Sequence, residues 1–190
     1  DPWPMVTVGE VPSPEDAVFV DLNGDGAVDV VSCCEGRTRG VFVHLAPADA
    51  SRYWDASAWT SHALVPEDQA QSWMFCVPLP GGERPALIVG SKGDGASVSR
   101  LTATGADPAP VRVQRLSEAG WIMSLRATDM DGDGDPDVLY SDRKGPSRGI
   151  HWLEQPDDPD RAAWRRHTIG GTGHEVMFLD VGDVSGDTRD

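Results

Sequence analysis

The chain has no apolar run approaching the roughly 18 residues that a helix needs to cross a bilayer. No charged stretch followed by an apolar one opens it in the manner of a secretory leader, so if the protein is exported its leader has been removed. Basic residues are scarce: 16 Lys and Arg stand against 31 Asp and Glu, a formal net charge of −15. That charge repels phosphate backbones and anionic lipid, which argues against nucleic acid and against membrane insertion as partners. Cysteine is sparse too. Cys33, Cys34 and Cys76 form no metal-ligand spacing, and an odd count leaves at least one thiol unpaired within the chain. A bridge from Cys33 or Cys34 to Cys76, or three small buried hydrophobes, are both open readings. No H-E-x-x-H and no phosphate-cradling glycine loop occurs, and no convincing amphipathic helix.

Turn formers are abundant instead. Glycine and proline number 21 and 15 in 190 residues, as expected when many short strands need many reversals. The acid is also unevenly placed, since 11 of the 31 acidic residues fall in the 26 positions of 21–29, 129–137 and 183–190. Such crowding calls for a counter-charge.

Those three segments read DLNGDGAVD, DMDGDGDPD and DVSGDTRD, and their first aspartates set a period. Asp129 to Asp183 is 54 residues and Asp21 to Asp129 is twice that. The missing copy falls near residue 75, where MFCVPLPGGERPALIVG (74–90) keeps an apolar run on each side of a turn but has lost the acids. A second signal closes each unit: WTSHAL (59–64) and WRRHTI (164–169) share Trp, then His three residues on, then an apolar residue two further. WPMVTV (3–8) fits in part. Four short extended runs per unit follow, near 16–21, 28–34, 40–45 and 59–65 in the first and 121–128, 137–141, 149–154 and 164–169 in the third. The expectation is an all-β fold, a β-propeller of four-stranded antiparallel blades. Its units run over 1–9 (last strand only), 10–65, 66–116, 117–170 and 171–190 (first strand and start of a loop), within one partial propeller over 1–190.

The nine-residue pattern D-x-[DN]-x-D-G-x-x-D resembles the loops of the FG-GAP/VCBS repeat family, and 21–29 and 129–137 match it throughout. The segment 183–190 departs from it, with Ser185 in the third place and Thr188 in place of glycine. The resemblance implies Ca2+ between the first two strands of a blade. The chemistry agrees, because a hard cation of that size takes six to eight oxygens and alternate residues of a tight loop point inward together. The expected ligands are Asp21, Asn23, Asp25, Asp29 and the Ala27 carbonyl in the first loop. In the later loop they are Asp129, Asp131, Asp133, Asp137 and the Asp135 carbonyl, with Asp183, Ser185 and Asp187 in the third. Gly26 and Gly134 supply the turn. An EF-hand is excluded, since Ser32 and Tyr140 stand where it needs a bidentate Glu.

His62 and His167 recur at one place, which argues for packing, and the closing tryptophans are expected between blades with their N–H bonded to a neighbour. Trp73, Trp121 and His174 each precede the innermost strand of a unit, where loops would surround a central channel. They are the candidate ligand-binding residues, offering stacking surfaces to a sugar; rim packing is the plainer reading. A seven-bladed ring of 54-residue blades needs about 378 residues, so 190 supply about 3.5 blades. The remaining blades are expected from the same longer chain or a second segment. The functional expectation is a calcium-stabilised binding or scaffold module, secreted or at the cell surface, recognising a glycan or protein ligand. The alternative is a propeller-fold polysaccharide lyase or sugar dehydratase with its site at the channel, for which His174 and Arg126 are the first catalytic candidates.

Overall fold

The computed structural model describes residues 2–82, 84–105 and 107–186. Its strands are β1 (Pro14–Val20), β2 (Asp29–Cys34), β3 (Val41–Leu45), β4 (Thr60–Ala63), β5 (Ser72–Leu79), β6 (Ala86–Lys92), β7 (Ser97–Ala103), β8 (Val111–Glu118), β9 (Ile122–Thr128), β10 (Asp137–Asp142), β11 (Gly149–Glu154) and β12 (Arg165–Gly170). Each consecutive four form one antiparallel sheet in chain order, so every connection within a sheet joins neighbouring strands. Helix among the described residues is confined to three single 3₁₀ turns, of which two, at Ala50–Arg52 and Ala56–Ala58, are capped by Asp49 and Asp55.

The sheets stack face to face. Sheet one and sheet two enclose a core that includes Val31, Val43, Leu64, Trp73, Leu87 and Val89. Sheet two and sheet three enclose another, with Ile88, Val98, Ile122, Val138, Tyr140 and Leu153. Strand β6 feeds both, sending Leu87 and Val89 one way and Ala86 and Ile88 the other. This is why Ala-Leu-Ile-Val is unbroken there, whereas β1 alternates half-buried with exposed positions. Each large apolar side chain taken from water contributes roughly 1.5–3 kcal/mol. At Gly90 a Cβ would lie 2.4 Å from the Ile122 side chain, so a residue without one lets β9 close onto β6.

The stacking is head to tail. Val138 and Tyr140 point at sheet two, yet the residues 108 positions earlier, Val30 and Ser32, lie on the face of sheet one that points away from it. Each sheet therefore uses one face toward its predecessor and the other toward its successor. First strands lead the contact: β5 lies against β1 and β2, and β9 against β5 and β6.

Two expected strands are not strands. Residues 3–8 form no strand, and 176–181 lie along sheet three without a ladder. In that segment Leu179 accepts from Ser124 Oγ (3.2 Å), Met177 from Ser141 Oγ, and the Phe178 ring meets Phe75 edge-on at 6.5 Å. It occupies the place of a next first strand, but strand hydrogen bonding needs a partner strand, and none stands beside it among the described residues.

Candidate metal centre

The β1–β2 and β9–β10 hairpins share one hydrogen-bond pattern. Asp21 accepts the N–H groups of Gly24 (2.8 Å) and Gly26 (2.9 Å) on its two oxygens, and Asp129 accepts those of Gly132 (2.7 Å) and Gly134 (3.0 Å). Asn23 and Asp131 each accept from the residue two further on, as do Asp25 and Asp133. Successive Asx turns of this kind draw alternate side chains inward. Gly26 (φ +87°) and Gly134 (φ +97°) take the left-handed conformation expected of them. Sequence reasoning missed Gly24 and Gly132, which do the same at φ +79° and +82°. The signal was present, because all three acidic segments carry glycine in their fourth place, Gly186 (φ +75°) included.

The ninth residue of each loop is buried and does separate work. Asp29 accepts from Leu22 N–H (3.0 Å) and, across the sheet, from Ala46 N–H (2.9 Å). Asp137 repeats this with Met130 (3.0 Å) and Gln155 (2.7 Å). Each carboxylate thus latches its loop to the end of the third strand. Burial pushes both carboxyls above the usual range, against the pull of those N–H donors, and the loop's other acids push the same way.

In the later loop, Asp129, Asp131 and Asp137 bring one carboxylate oxygen each to within 4.8 Å of one another. A shared ion bonded at 2.3–2.6 Å would space its oxygens at no more than about 5 Å, so the trio can hold a metal ion. Each carboxylate keeps lone pairs beyond those its N–H donors use. The Asp133 carboxylate stands outside that group of three. The first loop differs at one place: the Asn23 amide donates to Asp25 (3.0 Å), and no three-acid group forms there among the described residues. Ala27, expected to be a carbonyl ligand, is buried and its N–H donates to Asp25 (2.8 Å). In the third segment Asp183 accepts from Gly186 N–H (2.6 Å) and from Ser185 Oγ (3.4 Å), while Asp187 lies outside the described residues.

The candidate ligand residues are not brought together. Trp73 is 0% exposed in the first core, so it presents no stacking face and is a packing residue. His174 is exposed in a turn, its N–H donating to Gly171 (2.9 Å). Arg126 pairs with Asp180 (2.9 Å), and no hydrogen bond or ion pair joins it to His174. Trp121 lines a cavity and meets three cations, Lys92 and Lys144 at 4.8 Å and Arg143 at 5.0 Å from its ring centre. Sequence reasoning missed this basic group. Its trace was the recurrence of Arg39, Lys92 and Lys144 at 53 and 52 residues, close to the repeat period.

The repeated His and Trp residues separate. His167 stacks on Trp152 at 4.1 Å and pairs with Glu154 (2.6 Å), whereas His62 is exposed. The closing indoles do bond backward, Trp59 to Tyr53 O (3.1 Å) and Trp164 to Pro159 O (3.3 Å), but only Trp164 sits between sheets. All three cysteines are free and buried, Cys33 and Cys76 both in the core between sheets one and two.

No family model, curated protein or solved structure matches this chain. Among the described residues no helix is long and apolar enough to cross a membrane.

Proposed function

We propose that the three sheets are consecutive blades of a calcium-stabilised β-propeller of FG-GAP/VCBS type, and that the protein serves as a binding or scaffold module for a glycan or protein ligand outside the cell. The observation that carries this reading is the recurrence of one loop, with the same aspartate-to-glycine bonds and the same pair of Asx turns, at the same hairpin of sheets stacked head to tail. A pair of sheets closed into a sandwich would meet through equivalent faces. Head-to-tail stacking leaves an unlike face at each end, and a ring satisfies both. Sheet one accordingly turns Phe19, 76% exposed, and Val30 outward, where a further blade would cover them.

Calcium is the ion assigned, since every donor is a hard oxygen on a flexible acidic loop. Asp129, Asp131 and Asp137 would hold it in the later loop, with Asp133 completing the set. Bound there, it supplies charge compensation and rigidity.

The test is Asp131→Asn. Asparagine keeps the turn hydrogen bond, as Asn23 does in the first loop, and replaces one carboxylate oxygen and the charge with an amide N–H2. With extracellular-type sites near 10⁻⁴–10⁻³ M, about 10 mM calcium stabilises by roughly 1–3 kcal/mol. The variant should unfold like the parent in chelator and below it in calcium; equal behaviour in both would reduce the loop to a turn. Binding on a glycan array and capture of candidate protein ligands, each with and without chelator, test the recognition role, and no binding to either class counts against it.

A further inference from the structure

The end of the sheets opposite the aspartate loops carries the reverse charge. Arg39 from the β2–β3 turn, Lys92 at the close of β6 and Lys144 from the β10–β11 turn line one cavity of about 510 Å³, together with Gln71, Trp121 and a single acid, Asp94. Each sheet supplies its cation at the same end, where its second strand leads into its third. In a chain of net charge −15, three cations to one carboxylate is a local inversion of sign.

The arrangement is built rather than incidental. Asp142, 1% exposed, accepts the N–H groups of Gly120 (3.0 Å), Trp121 (2.8 Å) and Lys144 (3.2 Å), tying two turns together. Arg143 N–H donates to the Trp121 carbonyl (2.8 Å), and Lys92 bridges to Trp121 across the sheet boundary. A Cβ on Gly120 would fall 2.1 Å from the Lys144 carbonyl oxygen, so the two turns can meet only at glycine. The ring held in this clamp gathers Lys92, Arg143 and Lys144. Contacts with an aromatic face return about 0.5–2 kcal/mol per cation but do not cancel the repulsion among them. Glu35 pairs with Lys92 and Glu175 with Arg143, whereas Arg39 and Lys144 have no carboxylate at ion-pair distance among the described residues.

Building on the ligand-binding reading above, we propose that this cavity takes an anionic saccharide, held through its carboxylate or sulfate groups by Lys144, Arg39 and Lys92. Recognition is by charge. Trp121 acts as the platform that preorganises the cations, its ring already contacted by three of them. The volume falls within the range of small-ligand sites.

Titration calorimetry in calcium tests this with four probes: a galacturonate trisaccharide, a sulfated disaccharide, a neutral galactose trisaccharide and inorganic sulfate. The acidic saccharides should bind, weaken as salt rises, and lose roughly tenfold in affinity in Lys144→Glu. Lys144 is exposed, so that variant should keep the parent melting temperature. Arg39→Glu, on a different sheet, should show the same loss. Neutral and acidic saccharides binding alike would overturn the charge-based site while leaving glycan recognition standing. Sulfate alone binding would overturn the saccharide, and no saccharide binding at all would sink both.

Discussion

The loops at 21–29 and 129–137 have the same length, the same glycine places and the same aspartate-to-glycine hydrogen bonds, yet only the second brings three carboxylates within reach of one ion. At the third place the first has Asn23, whose amide turns to Asp25 and satisfies it internally. The second has Asp131, which can only accept. Backbone geometry and carboxylate density are thus separable: glycine and the Asx turns set the first, and the acid count sets the second. The β5–β6 hairpin extends the point, because it joins the same two positions of its sheet with no acid pattern at all.

The comparison breaks most severely at the latch. Asp137→Ala and Asp29→Ala each strand two N–H groups, at roughly 1–3 kcal/mol apiece. Both variants should lose about 3 kcal/mol by urea unfolding in chelator, and a large gap between them would mean that the two latches are not equivalent. Next come Gly24→Ala and Gly132→Ala, which force a left-handed alanine at about 1–2 kcal/mol. Nothing else lies within contact of a new Cβ at Gly132, so its loss measures backbone strain alone.

Smaller, and more informative, is Asn23→Asp. It should cost less than about 1 kcal/mol in chelator by crowding charge, and it should raise calcium affinity at the first loop. An unchanged calorimetric stoichiometry and affinity would show that something other than residue 23 distinguishes the loops. The smallest effect concerns pH and sheet one's outward face, where His44 sits between Ser32 Oγ (2.9 Å) and Ser61 Oγ (2.7 Å) with Gly9 over its ring. Burial holds this imidazole below its usual pKa, so the unfolded chain takes up the proton first. Its contribution is complete above the ordinary histidine range and is lost as pH falls below about 6.5. His44→Gln should flatten thermal stability between pH 7 and 5, and an unaltered profile would exclude the group.

Much of the fold was legible. Expected runs at 28–34, 40–45, 137–141 and 149–154 are strands within a residue of those bounds, because valine-rich segments between Gly, Pro and Asp clusters leave little choice of conformation. The inward-turning aspartates were legible for the same local reason. Trp73 was not: its place before a first strand suggested a channel rim, but strand β5 starts one residue earlier and turns the indole into the core. The latch function of Asp29 and Asp137 was also hidden, since one donor to each lies 17 or 18 residues away, just past the end of the third strand.

What the residue order determined by itself is local and periodic: where strands run, where the chain must reverse, and which acids crowd together, all set by interactions within a few residues and repeated every 54. Only the packed molecule decided which acids converge on one point, which tryptophan is core and which carries cations. It also decided that turns some 50 residues apart share a cavity, because those relations depend on how one sheet is laid against the next.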